Sequence, residues 1–367
     1  MSKNKIIIYS DCNQWGGHEL MTAEMANSLA RDYDVIFCYF NDKFESAIGK
    51  NIRKIKIPIR SRLSYCGLGS FDVMDIRYLV GLFKEIAPSF IIVSQGVIEI
   101  GLKALWAAKI AKIRAVSYIP LCFPFSLMNS PFAGIRDLFG QMYFRLFDAF
   151  ITISNEQRYY LNRTIKNKKI YVLENPISES MGRFRPLPKK PPEKPKVGIV
   201  GRISFSHKGQ DQAIEVAQNT RKNGKDITFL IIGDGEDKAK LVKMIKDNGL
   251  EKSFIIKKWE ENKKRIYSGL DCVLITSHFE GVPLVLLESI AFNKLIFAPC
   301  EGVYPRYLPK EFLYSDLENL SDKLVNFNHY WELWGSQGKG IRCAMLKKNE
   351  KNRFHKCLLK IVNKLND

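Results

Sequence analysis

The stretch from Asp271 to Ala298, DCVLITSHFEGVPLVLLESIAFNKLIFA, constrains the fold more than any other. Cys272 to Thr276 is a short apolar run with β-branched Val273 and Ile275, the pattern of a buried strand. Ser277 to Val282 reads as a loop. Pro283 suits a first helical turn, where its missing N–H would be unpaired anyway. Leu284 to Phe292 is apolar on most faces and predicts a buried helix. Leu295 to Ala298 begins the next strand. Strand, helix and strand in series are the repeating unit of a doubly wound α/β sheet.

Two charges interrupt this apolar unit, Glu280 in the loop and Glu288 in the helix. Their spacing lets both face one cavity at the C-terminal end of the strand, where open α/β sheets bind ligands. A buried carboxylate costs several kcal/mol, on the order of 3 or more, unless a partner meets it. The hydroxyls of a sugar ring and of a ribose would do so. The helix start adds free N–H groups near Val282, Leu284 and Val285 and a partial positive charge, which suits phosphate. An anion site between two hydroxyl acceptors matches the parts of a nucleotide sugar. Taken singly, each glutamate has a simpler explanation: Glu280 as a helix cap, Glu288 as the partner of a nearby lysine. The pair in the setting E-G-V-P-L-V-L-L-E resembles the Glu-x7-Glu signature of retaining glycosyltransferases of the two-Rossmann-domain (GT-B) fold, family 4 in particular.

At 367 residues the chain is long enough for two domains, and 46% hydrophobic residues fill two cores. The eight cysteines are scattered with no C-x-x-C pair, which favours reduced thiols in a cytosolic protein. MSKNKIIIYSD has too short an apolar run for a signal peptide. The longest uncharged stretch, Ala115 to Ile135, contains Pro120, Pro124 and Pro131 and makes a poor spanning helix. The net charge of +19 fits a lysine-rich solvated surface. The basic residues are not interleaved with stacking aromatics, so nucleic acid is not the expected partner. An anionic membrane surface fits better, since each nearby Lys or Arg adds up to about 1 kcal/mol of attraction. Lys50 to Arg62 holds six basic residues and no acid, and Lys347 to Lys364 is similarly rich.

In chain order, Lys5 to Ser10 predicts a first strand. The glycine pair Gly16-Gly17 stands at the start of a helix over Glu19 to Arg31, where the backbone can approach a ligand closely. His18 reads as a surface histidine at that helix start. Strands over Asp34–Phe40, Asn51–Pro58, Phe90–Ser94, Ala115–Tyr118, Phe150–Ser154 and Lys169–Glu174 alternate with helices over Asp72–Ile86, Ile98–Ala111, Arg136–Phe147 and Asn155–Asn162. Ile119 to Ile135 carries many large apolar residues among its prolines. It reads either as a buried crossover or as an exposed apolar surface for a bilayer or a lipid-linked acceptor. Arg183 to Lys196, with five prolines and six basic residues, is a linker. A second series follows, with strands at Lys196–Val200, Thr228–Ile232 and Phe254–Lys257 and helices over Asp211–Asn223, Glu236–Asn248 and Asn262–Ser268. Lys351 to Leu365 ends the chain with an apolar stripe at helical spacing.

Further elements strengthen the family resemblance. G-R-I-S-F-S-H-K-G resembles the family's G-R-x-x-x-x-K-G element, in which Arg202 and Lys208 would clamp the donor diphosphate; His207 reads as a bystander. Gly233, in I-G-D-G, resembles the strand-end turn that abuts the nucleotide. Lys258 and Trp259 occupy the segment whose main chain touches the base, with lysine where relatives have glycine. The resemblance implies an α/β fold of two Rossmann-like domains facing across a cleft. The domains would be residues 1–182, acceptor-binding, and 197–349, nucleotide-sugar-binding, with 183–196 between them. The last helix, within 350–367, would cross back onto the first. It implies donor contacts from Gly16, Gly17, Arg202, Lys208, Gly233, Lys258, Trp259, Glu280, Gly281, Val282, Pro283, Leu284 and Glu288, with Arg202, Lys208 and Glu280 catalytic. No metal and no cofactor beyond a UDP- or GDP-linked sugar donor are expected. Two departures stand out. Many relatives carry a histidine after the strand corresponding to Ala115–Tyr118, where this chain reads V-S-Y-I-P-L. Either another group takes that role, with His18 a candidate as the lesser of its two readings, or none is needed. Relatives often show Gly-Gly-x-x-Glu where this chain has E-G-V-Y-P-R-Y. The expected activity is retaining transfer of a hexosyl unit to a hydroxyl of a lipid-linked glycan, at the cytosolic face of the membrane. A nucleotide-sugar epimerase or a catalytically silent nucleotide-sugar-binding subunit would use the same fold.

Overall fold

A computed structural model of the chain describes residues 4–60, 72–128, 130–177 and 185–366. The chain forms two compact units, Met1–Asn175 with Asn352–Asp367, and Pro176–Lys351. Each is a parallel sheet with helices.

The first unit runs β1 (Lys5–Ser10), α1 (Gly17–Leu29), β2 (Asp34–Tyr39), α2 (Lys43–Ala47), β3 (Arg53–Lys56), α3 (Val73–Ile86), β4 (Phe90–Ser94), α4 (Leu102–Ile110), β5 (Arg114–Tyr118), α5 (Ala133–Leu146), β6 (Ala149–Thr152), α6 (Asn155–Thr164) and β7 (Lys169–Val172). Its strand order is β3-β2-β1-β4-β5-β6-β7. The central strands are β-branched runs with no exposed face: Ile6, Ile7, Ile8, Ile91, Ile92 and Val93 are fully buried. Because crossovers between parallel strands are right-handed, α1 and α2 lie on one face and α3 to α6 on the other. Local chemistry sets the helix ends. Asp72 accepts the Met74 and Asp75 amides at the start of α3, and Ala87 closes that helix in a left-handed turn just before Pro88.

The second unit runs β8 (Lys196–Val200), α7 (Phe205–Lys208), α8 (Gln212–Lys222), β9 (Thr228–Ile232), α9 (Lys238–Asp247), β10 (Phe254–Lys257), α10 (Lys263–Ser268), β11 (Cys272–Leu274), α11 (Leu284–Ala291), β12 (Leu295–Pro299), β13 (Leu313–Tyr314), α12 (Leu317–Val325) and α13 (Phe327–Lys348). Its order, β10-β9-β8-β11-β12-β13, repeats that of the first unit. The last helix, α14 (Lys351–Asn366), packs on the first unit through His355, which bonds Ser28 at 2.9 Å and lies 3.3 Å from Asp32.

The division falls at Asn175–Pro176, ahead of the stretch read as a linker. Of that stretch, Arg183 and Phe184 lie outside the described residues. The rest is held to the second unit by its carbonyls: Asn293 donates to Arg185 O and Trp331 Nε1 to Pro188 O, both at 2.9 Å. The seven cysteines among the described residues are free thiols; Cys66 lies outside them. Among the described residues no helix is long and apolar enough to cross a membrane.

Candidate active site

The strand order reverses between β8 and β11, so the loops leaving their C-terminal ends diverge and open a crevice there. The loop after β8 carries Arg202 and passes through the single turn of α7 to Lys208 and Gly209. The loop after β11 runs from Ile275 to Pro283. The two are tied together. Thr276 Oγ1 donates to Lys208 O at 2.7 Å, and His278 N donates to His207 O at 3.0 Å. Gly209 has a left-handed backbone (φ 61°), and a side chain there would meet Thr276 O at 2.5 Å, so glycine lets the loops approach. Within the first loop, Gln210 braces both ends, donating to Arg202 O and accepting from Ser204 N.

This scaffold sets Lys208 Nζ against Glu280 Oε1 in an ion pair whose side chains are 22% and 12% exposed. Burial pushes the Glu280 carboxyl up, but Lys208 and then His207 overcome it, and the group rests below the ordinary carboxylate value. Arg202 is exposed, and its guanidinium makes no ion pair among the described residues. His207 is half-buried, and burial holds its ring below the usual imidazole value. Its Nε2 is buried and makes no hydrogen bond among the described residues. The sequence reading treated His207 as a bystander; the fold instead brings it into the field of Glu280, Lys208 and Arg202. Tyr304 joins the same field. It is 4% exposed, its hydroxyl makes no hydrogen bond among the described residues, and burial followed by the Glu280 charge raises its pKa. It stands in the E-G-V-Y-P-R-Y segment, where the sequence departs from its relatives.

Glu288 belongs to a second cluster. It sits on α11 with Oε1 3.1 Å from Lys263 Nζ, and Oε2 accepts from Tyr267 at 2.7 Å. Lys263 Nζ also lies 4.8 Å from the centre of the Trp259 ring, which is 43% exposed. Trp259, Lys263, Tyr267 and Glu288 are therefore linked, the two α10 residues by their i, i+4 spacing. The lysine pairing considered for Glu288 from sequence is present. The sequence named neither Lys263 nor Tyr267. Lys258 is exposed beside Trp259.

Gly281, Val282 and Pro283 are buried, and Pro283 is the N-cap of α11. Leu284 is the first residue of that helix and half-buried. Its amide and that of Val285 have no intrahelical acceptor. At Gly233 a side chain would meet Gly201 O at 1.9 Å, so this glycine serves the close approach of β9 to the β8 loop. Gly16 and Gly17 belong to the first unit, as the N-cap and first residue of α1.

Beside them, His18 corrects the expectation of a surface histidine. Its Nε2 is 2.7 Å from Ser94 Oγ, its ring stacks on Tyr118 with centres 5.4 Å apart, and its buried Nδ1 has no partner among the described residues. Ser94 ends β4 and Tyr118 ends β5, so α1 delivers this imidazole to the C-terminal ends of the central strands. Burial holds it below the usual histidine pKa.

Two parallel α/β units of matching strand order, with the Lys208–Glu280 ion pair at the switch point of one, define a protein of the GT-B class. Residues 15–180 match the model for Glycosyltransferase Family 4 and residues 181–311 the model for Glycosyl transferases group 1; the chain belongs to this family. It is 27% identical to the amylovoran biosynthesis glycosyltransferase AmsD of Erwinia amylovora over 77% of both chains. It is 24% identical to the lipopolysaccharide 1,6-galactosyltransferase of Salmonella typhimurium over 76% of this chain and 75% of that one. Among solved structures, HepE of Anabaena in complex with UDP and glucose superimposes with a TM-score of 0.79 at 14% identity, over 98% of this chain and all of that one.

Proposed function

We propose that this glycosyltransferase moves a hexosyl unit from a UDP- or GDP-linked sugar to a hydroxyl of a lipid-linked glycan during surface polysaccharide synthesis. The observation that carries the reading is the Lys208–Glu280 pair, locked between two loops at the switch point and flanked by the exposed Arg202. In the resting protein Lys208 neutralises Glu280. A donor would insert between the two charges. Its diphosphate takes Lys208 and Arg202 as counter-ions, and its sugar hydroxyls donate to the freed Glu280 carboxylate. Both halves of the pair are then satisfied again, which a neutral or purely anionic ligand would not achieve. As the bond to the anomeric carbon breaks, negative charge grows on the diphosphate, and the two cations stabilise it without a metal ion. The amides of Leu284 and Val285 at the start of α11 add to that field. Glu288 takes the ribose hydroxyls beside Trp259. Retention at the anomeric carbon follows the family resemblance. The polysaccharide setting follows the AmsD and Salmonella relatives, and a nucleotide-sugar donor is in keeping with the UDP and glucose held by HepE.

The test is a binding screen of UDP-, GDP- and ADP-sugars, followed by turnover of the tightest donor with and without glycan acceptors. Binding of one nucleotide sugar and acceptor-dependent product are expected. Failure to bind any of them would overturn the reading. An epimerised donor formed in the absence of acceptor would replace it with the epimerase.

A further inference from the structure

The exposed apolar side chains are unevenly shared. Among the described residues of the first unit every large one, from Val73 to Tyr159, lies in the α3–α6 layer or its connections, and none lies on α1, α2 or α14. They concentrate on the segment before α5 and on α5 itself: Leu127 is 50% exposed, Phe132 65%, Ile135 50%, Leu138 60% and Met142 53%. Ile135, Leu138 and Met142 follow i, i+3, i+7 spacing and form one stripe. The opposite stripe, Arg136, Gly140, Tyr143 and Phe144, is buried. A helix apolar on both sides belongs in an apolar medium on both sides. The sequence left Ile119 to Ile135 open between a buried crossover and an exposed apolar surface. The structure divides it: Ile119, Cys122 and Phe125 are core, whereas Leu127, Phe132 and Ile135 face outward.

Charge selects what covers this face. From residue 126 to 167, every exposed charged side chain among the described residues is cationic: Arg145, Arg158, Arg163 and Lys166. The acids in the same stretch, Asp137, Asp148 and Glu156, are half-buried. Asp137 accepts the Phe125 and Ser126 amides, and Asp148 pairs with Lys109 at 2.9 Å. The buried Arg136 is neutralised by Glu99. The α6 cations stand close to the apolar segment, because Phe123 packs on Tyr160 at 4.7 Å and Gln157 Oε1 accepts from Cys122 N. Tyr159, half exposed and carrying Arg163 over its ring at 5.6 Å, is an amphipathic side chain of the kind that sits at a headgroup boundary.

We propose that α5 and the segment before it dock on an anionic phospholipid surface, Leu127, Phe132, Ile135, Leu138 and Met142 entering the acyl boundary while Arg145, Arg158, Arg163 and Lys166 meet the phosphates. Apolar area and headgroup attraction add, so each set alone binds weakly and both together hold the protein on the bilayer. A second copy of the chain is the competing occupant, but it would bring four like charges toward four like charges at a two-fold interface.

The test is flotation of the full chain with vesicles of equal phosphatidylglycerol and phosphatidylcholine, and with pure phosphatidylcholine, at low and high salt. Binding to the anionic vesicles that falls with salt is expected. L138D/M142D alters two exposed side chains and should melt like the wild type while losing binding about ten-fold. L138A/M142A, milder still, should lose part of it. R158E/R163E should lose a similar amount and flatten the salt dependence. Wild-type protein that stays off anionic vesicles at low salt would overturn the proposal. So would variants that bind as well as wild type, or light scattering showing that L138D/M142D acts only by splitting an oligomer. Donor turnover without vesicles, measured on the same samples, keeps this outcome separate from the fate of the transfer reaction.

Discussion

In the first unit the loops after β1 and β4 meet at the switch point; in the second the loops after β8 and β11 meet there. The strand arrangement is the same and the chemistry is opposite. The second unit gathers full charges and pairs them, Lys208 with Glu280 and Lys263 with Glu288. The first gathers groups that burial drives toward neutrality. His18 is held below its usual pKa, and Asp11, 2% exposed, is raised to about 6 chiefly by burial. Thr22, Ser94 and His18 form a chain of hydrogen bonds of 2.7 Å each. One backbone pattern thus supplies an ionic cradle in the second unit and, in the first, a buried polar cluster of His18, Ser94 and Thr22 that also holds the carboxyl groups of Asp11 and Glu19. The first kind suits a diphosphate, the second suits hydroxyl groups.

The sharpest way to break this contrast is to remove one half of the ionic cradle. Lys208→Ala leaves Glu280 buried without its cation. Loss of about 2–3 kcal/mol of stability is expected, since Lys208 keeps some contact with water. Turnover should fall at least about 100-fold with it. Denaturant melts and steady-state rates measure the two effects, and an unchanged melt would show that the pair is not the anchor of the loops. Arg202→Ala should separate them. The side chain is exposed and makes no ion pair among the described residues, so the melting temperature should hold while turnover drops about 100-fold. Normal turnover would remove Arg202 from the site.

In the first unit the contrast is read by pH. A carboxyl whose folded pKa is raised adds stability below its unfolded value, near 4, and that stability is lost as pH climbs through about 6. Between pH 5 and pH 7.5 the wild type should therefore lose stability relative to Asp11→Asn by roughly 1.5 kcal/mol, a difference in which the opposite drift from His18 and His207 cancels. Parallel pH profiles for the two proteins would show Asp11 to be solvated. The smallest effect is expected at Tyr304→Phe. Removing a buried hydroxyl without a partner should raise stability by about 1 kcal/mol or less. If the hydroxyl serves the donor, nucleotide-sugar affinity measured by calorimetry should weaken in the same variant. Unchanged affinity would make Tyr304 a packing residue only.

Much of the frame was legible because its signals are local. Apolar β-branched runs predict β1, β4, β8 and β9 almost to the residue, since a strand buried on both faces tolerates nothing else there, and they also mark the edge strand β10, where Ile255 is 47% exposed. The region from Tyr304 to Lys348 was not legible. The 22 residues of α13 include Gly335, Gly338 and Gly340, each unfavourable in a helix by about 1 kcal/mol. Tertiary contacts outweigh that. Trp334 is buried and donates to Asn293 at 3.0 Å, Arg342 donates to Ala291 O, and a side chain at position 338 would meet Asn293 Oδ1 at 2.5 Å. The site was half legible. Arg202, Lys208, Glu280 and Glu288 stand out as charges at loop ends in apolar surroundings, but spacing does not reveal partners. Lys263, Tyr267, His207 and Tyr304 reach the two glutamates only through the fold, and His18 reaches Ser94 across 76 residues.

The sequence by itself determined that there would be two doubly wound sheets and which loops would carry charge, because periodicity and hydrophobicity act over a few residues. Only the tertiary structure decided which charges neutralise each other, which histidine lies against the central strands and which face of α5 is left in water. Those outcomes depend on distance and burial, and neither quantity exists until strands far apart in the chain lie side by side.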